Sequence, residues 1–225
     1  MTDDPSASAS TPPRRPLTLI WDWPLRLWHW LFALCLTGSL TTGLIGDIAL
    51  MDWHLRLGYG ALGLLVFRLG WSLWGGRYAR LATFRPSPRE LVEHLRGRGV
   101  SEPRSAPGAA LVLLMLLAAA TQAVTGLFTS DEIFTEGPLV RHASGDTVDA
   151  MSALHHRVFW VLIGLIGAHL TAHVVYGLRR DPTPLGMFTG RKPSSLPALG
   201  RHLPVRAGVT AAAAAAAVWA LLFFW

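Results

Sequence analysis

Five blocks of apolar sequence set the limits on what this chain can become. They lie near Pro24–Gly46, His54–Gly75, Gly108–Phe128, Ala153–Leu178 and Gly208–Trp225. Each approaches the roughly 20 residues that an α-helix needs to cross a hydrocarbon core of about 30 Å. Composition agrees with this: 51% of the 225 residues are hydrophobic and only 15% are charged, against about 25% charged in soluble domains. The sequence predicts an all-α integral membrane protein with five spans.

A net charge of +6 raises the question of nucleic acid, and the distribution of that charge answers it. Arg77, Arg80, Arg85, Arg89, Arg96, Arg98 and Arg104 crowd the second connection, and Arg179, Arg180, Arg191, Lys192, Arg201 and Arg206 the fourth. The first connection carries Asp47 and Asp52 without a base. The third carries Asp131, Glu132, Glu136, Asp146 and Asp149 against Arg141 alone. Alternating basic and acidic connections follow the positive-inside pattern. The basic residues read as topology determinants, with membrane lipid as the surroundings and no nucleic acid as partner. They place the N-terminus in the cytoplasm and the C-terminus outside.

The Ser/Pro-rich stretch 1–16 is expected to be disordered and lacks the apolar core of a signal peptide. Cys35 is the single cysteine and reads as a small packing residue, so disulfides, Cys₄ clusters and CxxCH haem attachment are excluded within the chain. The first four spans suit an up-down four-helix bundle over residues 17–192. Residues 193–225 form a linker and an alanine-rich fifth helix, read as accessory and outside the core. Ser87-Pro88 with Glu90 marks the start of a short interfacial helix within Phe84–Gly99. The acidic connection Ser130–Asp149 is long enough to carry a partner surface. Trp21, Trp23, Trp53, Trp71 and Trp74 lie near span ends, as in an aromatic belt.

Nine histidines are the chemical signal. His94, His142 and His202 fall in predicted loops, whereas His29, His54, His155, His156, His169 and His173 fall in spans, where ionisable residues are functional suspects. At about 1.5 Å and 100° per residue, His155 and His169 lie ~21 Å apart and ~40° apart in azimuth on the fourth span. With the helices alternating in direction, His54 falls level with His155 near the outer surface, and His29 level with His169 near the inner one. Histidines paired across a bundle at two depths suit two non-covalent haem b groups, each with two axial imidazoles. A zinc centre would draw three or four ligands to one point, and the His169/His173 pair lacks the glutamate of HExxH.

Arg68 lies inside the second span at the inner level. A haem propionate is an apt partner for it, through paired charge-assisted bonds, with snorkelling to the interface as the alternative. Arg26, Arg56 and Arg157 flank the proposed ligands and are expected to serve likewise. His156 points ~100° away from His155. His173 is in better phase with His155 than His169 is, so periodicity leaves His169 and His173 both open.

The stretches WDWPLRLWHW, DWHLRLGYGALGLLVFRLGW, TGLFTSDEIFTEGPL and LHHRVFWVLIGLIGAHLTAHVVY resemble the bacterial cytochrome b561 family. That family includes the b-type cytochrome subunits of nickel–iron hydrogenases and of formate dehydrogenase. The resemblance covers roughly Leu19–Lys192 and implies that His29, His54, His155 and His169 ligate two haems, which selects His169 over His173. It implies a place in the bacterial inner membrane, and electron transfer between the quinone pool and a partner redox protein such as a hydrogenase or a c-type cytochrome. Many relatives have Asn-Pro or His-Asn-Pro before the third helix; EPRSAPGAAL stands here. The fifth span is absent from minimal four-helix members. Two other functions fit the same residues: a stand-alone oxidoreductase passing electrons from superoxide or another small donor to quinone, and a non-redox transporter or assembly factor. His156 or His173 would serve such a quinone site as a proton relay.

Overall fold

The computed structural model describes residues 15–83, 87–96, 102, 104–199 and 203–224. Its main elements are β1 (Leu17–Leu19), α1 (Trp23–Ile45), α2 (Ile48–Trp74), α3 (Pro88–Leu95), α4 (Ala106–Gly126), α5 (Gly145–Leu178), α6 (Gly186–Thr189), β2 (Arg191–Pro193) and α7 (Pro204–Phe224). Five of these, α1, α2, α4, α5 and α7, are long and apolar enough to cross a membrane. The protein is an all-α membrane protein.

Local sequence explains where each helix begins. Asp22 accepts from the Leu25 amide (2.9 Å) and caps α1, with Pro24 in the first turn. Asp47 caps α2 through the Ala49 amide (2.9 Å), Ser105 caps α4 and Ser144 caps α5. Such side chains satisfy amides that a helix start leaves without partners. Two boundaries move because of these caps. The connection expected over Asp47–Trp53 is only Gly46 and Asp47. Gly46 adopts the left-handed conformation (φ 68°) and its amide reaches the Thr42 carbonyl at 3.1 Å, so α2 starts at once and His54 lies two turns inside it. Likewise α5 begins at Gly145, and the last residues of the expected acidic loop are helical.

The helices form two antiparallel hairpins, α1 with α2 and α4 with α5, joined by packing of α2 against α4. Trp28 donates its indole N–H to the Leu64 carbonyl (2.7 Å) and fixes the register of the first hairpin. Where α1 begins and α2 ends, Ile20, Trp21, Leu25, Trp28, Phe67 and Trp71 form a buried cluster. Trp21 and Trp71 are therefore core residues and not belt anchors, as Asp22 accepts the Trp71 indole N–H there. Trp23, Trp53 and Trp74 remain exposed.

Helix α7 packs on α2 and places Ala207 and Ala214 in the same buried cluster. This corrects the reading of the fifth span as outside the core: its small side chains allow close approach, and Thr210 accepts the Trp74 indole N–H at 2.9 Å.

Strands β1 and β2 pair antiparallel, Leu17 opposite Pro193 and Leu19 opposite Arg191. Pro16 already takes part, accepting from the Ser194 amide (3.1 Å), and Glu102 ties Arg15 to Ser194 and Ser195. The N-terminal and fourth connections thus share one cap, and β2 straddles the expected boundary at 192/193. The expected disorder of 1–16 otherwise lies outside the described residues, as does His202. His94 lies in α3 and His142 in a single 3₁₀ turn, Val140–His142.

Candidate functional site

Helices α2 and α5 bring His54 and His155 opposite one another, with ring centres 6.2 Å apart and planes nearly perpendicular at 79°. Each ring is held from behind by a neighbouring helix. His54 donates its Nδ1–H to the Ser39 carbonyl of α1 (2.9 Å), and His155 donates to the Gln122 carbonyl of α4 (3.0 Å). Ser39 Oγ and Thr125 Oγ1 stand 3.4 and 3.2 Å from the same two nitrogens. A carbonyl oxygen only accepts, so Nδ1 carries the proton and the neutral ring keeps its lone pair on Nε2. Fixing one nitrogen by a backbone carbonyl is how proteins orient metal-binding imidazoles. Metal–imidazole bonds of about 2.0–2.1 Å on both sides place ring centres about 6 Å apart, so the spacing suits one metal between the rings.

Two glycines make room for these rings. A Cβ on Gly43 would stand 3.0 Å from His54 Cε1, and one on Gly126 would stand 3.0 Å from His155 Cε1. Around the pair lies a cavity of about 490 Å³ bounded by all four bundle helices, within the roughly 300–1,000 Å³ typical of cofactor pockets. Its walls are mostly apolar, with Leu36, Leu40, Leu62 and Phe159 among them. Asp131, Thr135 and Gly137 from the loop between α4 and α5 line it as well.

The group at the other end of the bundle is built differently. His169 and His173 lie one turn apart on α5 with ring centres 4.5 Å apart, and His29 of α1 is within electrostatic reach of both. The Nδ1 atoms of His29 and His173 are buried and have no hydrogen-bond partner. Buried polar atoms rarely stay unsatisfied, which marks this as a place for a further group. Among the described residues, no three His, Cys, Asp or Glu side chains gather as a zinc site would need.

The flanking arginines divide. Arg68 is 5% exposed, lies 5.5 Å from the Trp28 ring centre and is within electrostatic reach of Asp22. Arg26 donates to the Phe188 carbonyl (2.6 Å) near the paired strands β1 and β2. Arg56 lies exposed over the Trp53 ring (5.6 Å) and Arg157 is exposed on α5. None of Arg26, Arg56 and Arg157 lines the cavity. His156 borders it, but its Nδ1–H goes to the Ser152 carbonyl of its own helix (2.8 Å).

Ser39, Gly43, Gln122, Thr125 and Gly126 escaped the reading of the sequence. Only Gln122 carried a signal, a polar amide one turn from the end of a span; Gly43 and Gly126 acquire meaning only from the rings across from them.

No curated protein matches the chain at a significant level. A family profile does: the one described as prokaryotic cytochrome b561 matches residues 20–190, well over half the chain. The chain belongs to the prokaryotic cytochrome b561 family, and is a multi-pass membrane b-type cytochrome of electron transfer.

Proposed function

We propose that residues 17–192 hold two haem b groups at different depths and carry electrons between the quinone pool and a partner redox protein. His54 and His155 would ligate the outer group, and His29 and His169 the inner one, with His173 as the rival at the inner position. One observation carries this reading: two imidazoles 6.2 Å apart, each with Nδ1–H fastened to the carbonyl of a neighbouring helix.

Bound haem supplies one-electron chemistry at its iron; the chain sets the conditions for it. The Ser39 and Gln122 carbonyls hold the two rings in one tautomer and orientation. The apolar cavity walls exclude water and keep the site at low dielectric. Arg68, buried at the inner level, offers positive charge to a propionate and shares it with Asp22. The basic second and fourth connections support an N-terminus in the cytoplasm, which puts His54 and His155 on the periplasmic side of the inner membrane. Quinol or quinone would bind at one surface and the partner, a hydrogenase or a c-type cytochrome, at the other.

The test is spectroscopic. Purified protein from haem-replete cells should show b-type α-bands in a reduced-minus-oxidised spectrum and two haems per chain by pyridine haemochrome assay. His54→Ala and His155→Ala should each remove the same single haem, and the double variant no more than that. His169→Ala set against His173→Ala decides the inner ligand. A protein with no b-type absorbance would sink the proposal.

A further inference from the structure

The loop between α4 and α5 is an ordered lid that lifts two apolar side chains into the open. Gly137 donates to the Thr129 carbonyl (2.8 Å) and Leu139 to the Leu127 carbonyl (2.9 Å), while the Ser130 amide donates to Ser152 Oγ of α5 (3.3 Å). At the tip, Asp131 Oδ1 accepts from the amides of Ile133, Phe134 and Thr135 at 3.0, 2.9 and 2.8 Å. Ile133 is 74% exposed and Phe134 71%. The same loop lines the cavity of His54 and His155 through Asp131, Thr135 and Gly137.

Charge frames this apolar tip. Asp131, Glu132 and Glu136 on the loop are exposed, as are Asp47 and Asp52 on the opposite hairpin and Asp146 and Asp149 at the start of α5. The bases at this end are Arg141, beside His142 (3.0 Å), with Arg56 and Arg157 further along their helices. An apolar centre inside a polar rim is the anatomy of a protein interface, and the excess of carboxylates in this rim favours a basic partner. A lipid surface is the poorer occupant, because its anionic headgroups attract cations and repel carboxylates.

We propose that Ile133 and Phe134 form the docking tip for a water-soluble electron-carrier protein that bears basic residues around an apolar patch at its redox centre. The inference rests on the haem reading of the His54–His155 pair. Each encounter moves one electron between that centre and the partner's one-electron centre, with no proton or group transferred. Docking on the lid brings the partner to the wall of the cavity, and the acidic rim steers its approach.

The probe is a c-type cytochrome of high isoelectric point, with the full-length holoprotein in nanodiscs. Isothermal titration should give a dissociation constant that weakens at least tenfold in I133S/F134S. Its salt dependence should weaken measurably in E132Q/E136Q. Stopped-flow oxidation of the reduced protein by the cytochrome should slow in parallel, while oxidation by a small neutral oxidant keeps its rate. Unchanged affinity in I133S/F134S overturns the proposal, and so does the absence of binding by the unsubstituted protein. Quenching of an I133W fluorophore by brominated lipid would place the tip in the bilayer and also overturn it. A preparation lacking b-type absorbance overturns the haem reading and this one together, whereas unchanged affinity in a haem-replete protein overturns the docking tip alone.

Discussion

The indole N–H of Trp71 points at the carboxylate of Asp22, 3.2 Å from Oδ2 and 3.3 Å from Oδ1, in a site where Trp71 is wholly buried and Asp22 is 3% exposed. The same carboxylate caps α1. One side chain thus starts the helix that carries His29 and locks it to the C-terminal end of α2.

Asp22→Ala removes the cap and leaves a buried indole N–H without an acceptor. The cap is worth about 1 kcal/mol and the orphaned donor about 1–3 kcal/mol, so a loss of roughly 2–4 kcal/mol is expected. Asp22→Asn keeps one acceptor oxygen for the Leu25 and Trp71 donors but loses the one that serves the Gly76 amide, so it should lose less than Asp22→Ala without matching the native side chain. Thermal denaturation in detergent, followed by circular dichroism, checks the order of the two variants.

Gly43→Ala and Gly126→Ala should separate stability from cofactor retention. Alanine favours a helix interior over glycine by about 0.8–1 kcal/mol, but Gly43 lies in the last turn of α1 and Gly126 ends α4, so the unfolding midpoint of haem-free protein should change little. The new methyl would press on the His54 or His155 ring at 3.0 Å, so haem should be lost more readily from both variants. Haem transfer to apomyoglobin, timed for each variant, measures this. Equal transfer rates would show that the rings have room to spare.

The seam between α7 and α2 is narrow at one point. A Cβ on Gly70 would stand 2.8 Å from Thr210 Cγ2, so Gly70→Leu should push α7 away from α2. Thr210→Val leaves the helix in place but removes the acceptor of the Trp74 indole, for about 0.5–1.5 kcal/mol. Trypsin reports the difference, because Arg206 donates to the Trp74 carbonyl across this seam (3.2 Å). Cleavage after Arg206 should accelerate severalfold in Gly70→Leu and little in Thr210→Val.

The lid should resist acid. The amides of Thr135, Ile133 and Phe134 hold the exposed Asp131 carboxylate well below its ordinary range, at about 2. A depressed folded value means that its contribution is complete above about pH 4, the unfolded value, and is lost as pH falls through 2. The amide resonances of residues 133–135 should therefore titrate together near pH 2. Asp131→Asn should abolish that titration, whereas an apparent value near 4 would mean that the turn is not held by Asp131.

The sequence by itself determined the spans, because a helix in lipid must be about 20 apolar residues long. It also determined the level of each histidine, because helix rise converts residue number directly into depth. His54 and His155 could be matched across the bundle for that reason. Position around and between helices is a different matter, decided by packing among residues far apart in the chain. That is why Trp71 read as an interfacial anchor and is buried on Asp22, 49 residues away. It is also why α7 read as accessory and contributes Ala207 and Ala214 to the core. The tertiary structure alone decided that Gly43 and Gly126 leave space for imidazole rings, and that the acidic loop closes over the cavity.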